Sequence, residues 1–275
     1  MKIIAPTDFS DLSKSALIYA AQLAASTNNP LVLVYNAVFE GPPRATVLIN
    51  LEEKIELNAI EDMKMLAEWL KKSVEPAPDI FIEITKNHNA AEAILKRTKD
   101  IDGGLIILST RGASGLSGSI LGSVSSEVLR KSSIPVMALP PEMESKKEGG
   151  FLFAIDPANG LHEISLRKFF AFCKIINKKA EFLFVTNDDM ANEITNIKKY
   201  IANTYPEFAC EYHSLINENI AETIADFLTS HNFSMLAIAP KKHNFLERMF
   251  GKSITTKLLS RINIPVLALT DESIS

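Results

Sequence analysis

Four glycines, Gly112, Gly115, Gly118 and Gly122, and a run of hydroxyl residues that includes Ser109, Thr110, Ser123, Ser125 and Ser126 follow directly on the apolar segment LIIL, which ends at Leu108. Glycine permits positive φ and lets backbone N–H groups close on a ligand with no Cβ in the way. A helix with Val124, Val128 and Leu129 on its apolar face is expected to begin near Ser123. Its first turn would add oriented N–H groups and about half a positive charge. Phosphate binding is the chemistry this combination suits. The plain alternative is a surface loop. Asp8, in TDFS behind the first apolar segment, is the second candidate. A carboxylate at the carboxyl end of a strand accepts from a ribose hydroxyl, or else it caps the helix that follows.

The elements that must hold these residues are written twice. NHNAAEAILK from Asn87 and NENIAETIAD from Asn217 share an offset that continues without a gap to SIPVMAL (133–139) and NIPVLAL (263–269), with 13 identities over the 53 positions of 87–139. Near the start of each copy, IIAPTDFS pairs with LFAIDPAN, which sets Asp8 opposite Asp156. The first copy carries about 18 extra residues between its second and third strands. Residues 1–140 and 151–275 therefore read as two domains, with the charged stretch 141–150, ending in two glycines, as an exposed linker.

Within the first copy, KIIAP, LVLVYNAV, DIFIEIT, GLIILS and PVMAL read as strands, near-continuously apolar as in a parallel sheet covered on both faces. Amphipathic segments alternate with them. One carries Leu12, Leu17, Ala20, Ala21 and Ala24, with Ser10 as its N-cap; another spans 51–72. The fold class is α/β: two repeated, doubly wound, Rossmann-like domains, each a five-stranded, mainly parallel sheet flanked by helices. Ligands in such sheets sit beyond the carboxyl ends of the strands, where strand order reverses.

The second copy is an internal control. Where the first has Gly112, Gly115, Gly118 and Gly122, it has Lys242, Phe245, Arg248 and Lys252. The architecture does not need those glycines, and no equivalent phosphate pocket is expected in residues 151–275. Gly251-Lys252-Ser253 resembles the end of a P-loop, but Leu246 stands where that motif needs its first glycine.

Composition narrows the function classes. A net charge of −4 argues against nucleic-acid or anionic-membrane binding. The opening turns polar after five residues, and no run approaches the roughly 20 apolar residues of a spanning helix, so a cytoplasmic protein is expected. Cys173 and Cys210 lack Cys-x-x-Cys spacing and read as buried thiols. The five histidines, at 88, 162, 213, 231 and 243, show no metal-ligand spacing, and no metal site is expected. The basic run 241–248 reads as a solvated face or a partner-docking patch.

PTDFS (6–10), AAEAIL (90–95) and LSTRGASGLSGSILGSVSSEVL followed by SIPVMAL resemble the universal stress protein family, in tandem form across the chain. The family's nucleotide signature is Gly-x2-Gly-x9-Gly-Ser/Thr. Gly112, Gly122 and Ser123 match it, and Ser109 replaces its first glycine. The resemblance implies an adenine nucleotide alpha hydrolase-like fold and ATP, AMP or ADP at the sheet's carboxyl edge, with Mg as an accompanying ion. It implies Pro6, Thr7 and Asp8 near adenine and ribose, Ala37 and Val38 against the base, and Ser109, Thr110, Arg111, Gly112, Gly115, Gly122, Ser123, Val124 and Ser125 around the phosphates. It further implies pairing of the two copies through their last strands (134–139 and 264–269), a homodimer, and a protein partner that reads the nucleotide-bound state. Two other readings stand beside this one. One is a slow ATPase in which Asp8 helps hold Mg; the other is an interaction module without nucleotide.

Overall fold

The computed structural model describes residues 1–38, 48–98, 104–110, 121–143, 148–187, 189–239 and 262–269. The chain divides into two compact units that change over between Val136 and Met137. Both are α/β units with parallel strand pairing. Among the described residues, no helix is long and apolar enough to cross a membrane.

In the first unit β1 (Lys2–Thr7) leads through α1 (Asp11–Ser26) to β2 (Leu31–Asn36), and α2 (Leu48–Ser73) leads to β3 (Ile80–Thr85). After α3 (Ala90–Lys96), β4 (Gly104–Ser109) returns to the other side of β1, so the order is β3-β2-β1-β4. α4 (Ser123–Lys131) follows, and Ile106 N donates to the Pro135 carbonyl just before β5 (Val136–Leu139). The reversal of strand order between β1 and β4 matters because the helices after these two strands pack on opposite faces and leave a crevice between their carboxyl ends.

The runs that read as strands are strands for the expected reason. Ile3, Ile4, Leu31, Leu33, Leu105 and Ile106 are buried against helices on the two faces. Complete burial of such side chains stabilises by about 1.5–3 kcal/mol each before the entropy cost of ordering the chain. Ser10 caps α1 as expected, its Oγ accepting from Ser13 N at 3.2 Å. The extra residues of the first copy lie largely in α2, which has 26 residues where its counterpart α6 (Ala191–Thr204) has 14.

The second unit repeats the plan with β6 (Gly150–Ile155), α5 (Glu163–Ile176), β7 (Ala180–Thr186), α6, β8 (Glu211–Ile216), α7 (Ile220–Ser230), β9 (Phe233–Ile238) and β10 (Val266–Ala268), ordered β10-β9-β6-β7-β8. Its core is aromatic where the first is aliphatic: Phe169, Phe170 and Phe182 meet with ring centres 5.7–5.9 Å apart. The two glycines that close the expected linker serve packing. Gly150 opens β6, and a Cβ on Gly149 would lie 1.6 Å from the Asn232 carbonyl oxygen.

Candidate functional site

The β1–α1 turn is held by short polar side chains. Ser13 Oγ donates to the Ser10 carbonyl at 2.9 Å, so the buried Thr7 hydroxyl, 3.0 Å away, donates to Ser13 Oγ. Thr7 Oγ1 in turn accepts from Phe9 N at 3.0 Å. Asp8 Oδ1 takes two bonds from Ser10, from its N at 3.1 Å and its Oγ at 2.6 Å. Between them Phe9 sits at φ 60°, a left-handed conformation unfavourable for a residue with a Cβ, with its ring 4.7 Å from that of Tyr35. The web around Phe9 fixes this conformation. Asp156 braces the corresponding turn of the second unit, accepting from Ala158 N at 3.0 Å.

The other side of the crevice is the start of α4. Gly122 is its N-cap, at φ −64° and ψ 155°, and it offers no side chain to the helix. No acidic residue lies in the first turn. α1 and α3 differ: Ser10 with Asp11 serves the first, and Asn89 with Glu92 serves the second, Asn89 Oδ1 accepting from Ala91 N and Glu92 N. The Gly122 N–H donates to the Thr110 carbonyl at 2.7 Å, and Ser125 Oγ donates to the Ser109 carbonyl at 2.8 Å. These two bonds clamp the helix start to the end of β4. Thr110 Oγ1 is buried without a hydrogen-bond partner among the described residues.

Pro6, Thr7, Asp8, Ser109, Gly122, Ser123, Val124 and Ser125, which the sequence spreads over more than a hundred positions, line one open cleft of about 730 Å³. Its floor is apolar, from Val34, Ile94 and Leu108, all buried. Asp8 is the one carboxylate among its described lining residues. Apolar floor, one carboxylate, hydroxyls and an uncapped helix start can together accommodate a flat apolar group, a diol and an anion.

Ala37 and Val38 line a second hollow instead, of about 560 Å³, with Ile55, Glu56, Lys86, Asn87 and His88. The cleft wall at the end of β2 is its last residue, Asn36. Its Nδ2 donates to the Asn87 carbonyl at 2.7 Å, and its Oδ1 accepts from Thr85 Oγ1 and Asn87 N, which ties the ends of β2 and β3 together. Arg111, Gly112 and Gly115 lie outside the described residues, as do Gly118 and, in the second copy, Lys242, Phe245, Arg248, Lys252 and the run 241–248. Sequence reading missed Ser13, Val34, Asn36, Ala90, Ile94 and Leu108. Only Asn36 left a signal there, as a polar residue closing an otherwise apolar strand.

The sequence pattern of the universal stress protein family matches residues 1–140. A universal stress protein from Archaeoglobus fulgidus DSM 4304 has a similar fold, with a TM-score of 0.73 and 15% identity over 98% of this chain and 96% of that one. A protein of unknown function from Pseudomonas aeruginosa PAO1 has a TM-score of 0.59 and 13% identity, over 99% and 93% of the two chains. An uncharacterised protein of Schizosaccharomyces pombe is 28% identical over 142 residues, which are 50% of this chain. The match covers 23% of that curated relative, so the chain spans less than a quarter of its length.

Proposed function

The chain belongs to the universal stress protein family, and from that membership we propose that its first half binds an adenine nucleotide, ATP or its AMP and ADP forms, in the cleft between β1 and β4. Occupancy of that cleft is then the signal by which the protein regulates a stress response through a protein partner. The observation that carries the reading is the helix start at Gly122: α4 opens onto the cleft with no side-chain cap and no acidic residue, beside Thr7, Asp8 and Ser109. An anion there accepts from first-turn N–H groups and gains roughly 0.3–1 kcal/mol from the helix dipole. Asp8, braced by Ser10, is suited to a ribose diol. The apolar floor at Val34, Ile94 and Leu108 suits an adenine ring.

The second half supports a single site. At the strand ends corresponding to Thr7 and Ser109 it carries Ile155 and Ala239, and Lys252 corresponds to Gly122. Nucleotide shifts the protein between states only by the difference in its affinity for them. A partner that reads the occupied form must therefore raise the affinity for nucleotide by the same factor.

Gly122→Asp separates this reading from its competitors. The backbone at φ −64° and ψ 155° is ordinary N-cap geometry that aspartate adopts without strain. Its carboxylate would take the first-turn N–H groups and repel phosphate, while leaving the helix as stable as before or more so. In equilibrium dialysis the wild-type chain should bind one ATP and the variant none, with unchanged circular dichroism. Wild-type protein that binds no adenine nucleotide, or a variant that binds as well as wild type, would sink the assignment.

A further inference from the structure

The second unit brings together a set of donors that its sequence spacing hides. Glu181 is the second residue of β7, and Glu211 and His213 stand two apart on β8, so they share a face of that strand. Glu181 and Glu211 are register partners. One ligand atom from each of Glu181, Glu211 and His213 falls within 4.8 Å of the others, and His213 Nε2 lies 3.0 Å from Glu181 Oε2. The site is at the amino-terminal edge of these strands, the opposite edge from the one used by the nucleotide cleft in the first unit.

Three observations point to a metal rather than to a chance surface group. Two carboxylates converge on one imidazole; the Glu181 and His213 side chains are only 15% and 27% exposed, and the exposed Glu211 closes the cluster from the solvent side. A divalent cation would relieve the mutual repulsion of the two carboxylates. The His213 ring is packed against Phe227, with ring centres 5.0 Å apart, so its direction is set by the core. A second imidazole, His231, stands at the edge of the cluster, 6.1 Å from His213 between centres. Its Nδ1 donates to the Phe227 carbonyl at 2.9 Å, which leaves Nε2 with the lone pair in the neutral ring. The first unit is again the control. By strand register its counterparts are Val32, Phe81 and Glu83, and Glu83 is paired there with Arg97 at 3.0 Å. The fold asks for none of the three donors at this place.

We propose that Glu181, Glu211 and His213 form a site for a first-row transition cation, with zinc as the best match. Imidazole with carboxylate suits zinc and its neighbours better than calcium or magnesium, which favour all-oxygen sets. Zinc–ligand distances of about 2.0–2.2 Å require the donors to close by on the order of 1 Å, within the range of side-chain rotation. Three protein ligands leave a coordination position for water.

The test uses the full chain after chelator treatment, titrated with zinc chloride by calorimetry and with cobalt(II) by visible absorption. Glu181→Gln and His213→Ala should each bind one equivalent fewer than wild type and lose the cobalt band, with unchanged circular dichroism. Cys210→Ser, beside Glu211 in sequence, should bind as wild type does. No zinc bound by the wild-type chain, full binding by Glu181→Gln, or loss of the site in Cys210→Ser overturns the proposal. If His213→Ala fails to fold, the near-isosteric Glu181→Gln decides it.

Discussion

Ser125 Oγ donates to the carbonyl of Ser109 across 2.8 Å, joining the first turn of α4 to the last residue of β4. The bond is largely buried, Ser125 being 8% exposed. It sets the angle at which the uncapped helix start meets the strand end, and with it the shape of the cleft. Ser125→Ala should lower unfolding free energy by about 1 kcal/mol in urea titrations. Nucleotide affinity should fall in the same variant, by about fivefold for 1 kcal/mol of lost positioning. A variant with wild-type stability and affinity would show that the bond has no part in positioning.

Thr7 is both donor and acceptor in the β1–α1 turn, giving its proton to Ser13 Oγ and receiving that of Phe9 N. Valine has the same shape without the hydroxyl, so Thr7→Val orphans the Phe9 N–H of a residue already at φ 60°. A cost of about 1–3 kcal/mol is expected from the unmet donor alone. Thr7→Ser keeps both bonds and should lose much less. Thermal unfolding of the two variants side by side checks the difference.

Gly149 and Gly160 should respond unequally to alanine. A Cβ on Gly149 meets backbone, the Asn232 carbonyl oxygen at 1.6 Å, whereas one on Gly160 meets nothing within 4 Å among the described residues. Gly160 does sit at φ 71° and ψ 178°, a region essentially reserved for glycine, which costs an alanine about 1–3 kcal/mol. Gly149→Ala must instead displace backbone, that of β6 or of the chain before β9, and its loss should exceed that of Gly160→Ala. Urea midpoints of the two variants decide the order.

Alkali should destabilise the protein. Burial pushes the Cys173 thiol from 9.0 up to about 12 and the Cys210 thiol up to about 11. It also raises the Tyr19 hydroxyl from 10.0 to about 12. For each group the unfolded chain loses its proton first. The stability contributed by the neutral form is complete below the unfolded value and drains away as pH rises through the folded one. The urea midpoint should fall steadily above about pH 9. At neutral pH neither thiol should react with an alkylating reagent until the chain unfolds, because the thiolate is the nucleophile.

Much of this fold was legible because burial on both faces of a parallel sheet imposes its own sequence. LIIL, LVLVY and KIIAP are strands for that reason, and Ser10 caps α1 because a short hydroxyl side chain can reach Ser13 N. Half of the cleft was legible for a similar reason. The residues that depart from the sheet's needs are polar or small, Asp8 and Ser109 at strand ends and Gly122 and Ser125 at the start of α4, and the second copy shows which of them the fold can do without. Val34, Ile94 and Leu108 were not legible, since an apolar residue on a cleft floor looks like any other core residue. Nothing in the run LVLVYNAV says where the strand stops; in the fold Asn36 ends β2, lines the cleft and bonds to Asn87, and Ala37 and Val38 line the neighbouring hollow.

By itself the sequence determined the α/β class, the doubling of the chain, and the difference between a glycine-bearing first copy and a second copy without those glycines. Each is a matter of local pattern: the periodicity of burial, the offset of a repeat, the presence or absence of a Cβ. Only the tertiary structure decided which distant residues meet. Histidine spacing alone spoke against a metal site, yet strand register sets Glu181 beside Glu211 and His213 across thirty or more positions of chain. Register and strand order are fixed by how whole faces of β7, β8 and their covering helices bury together, and no short stretch of sequence carries that information.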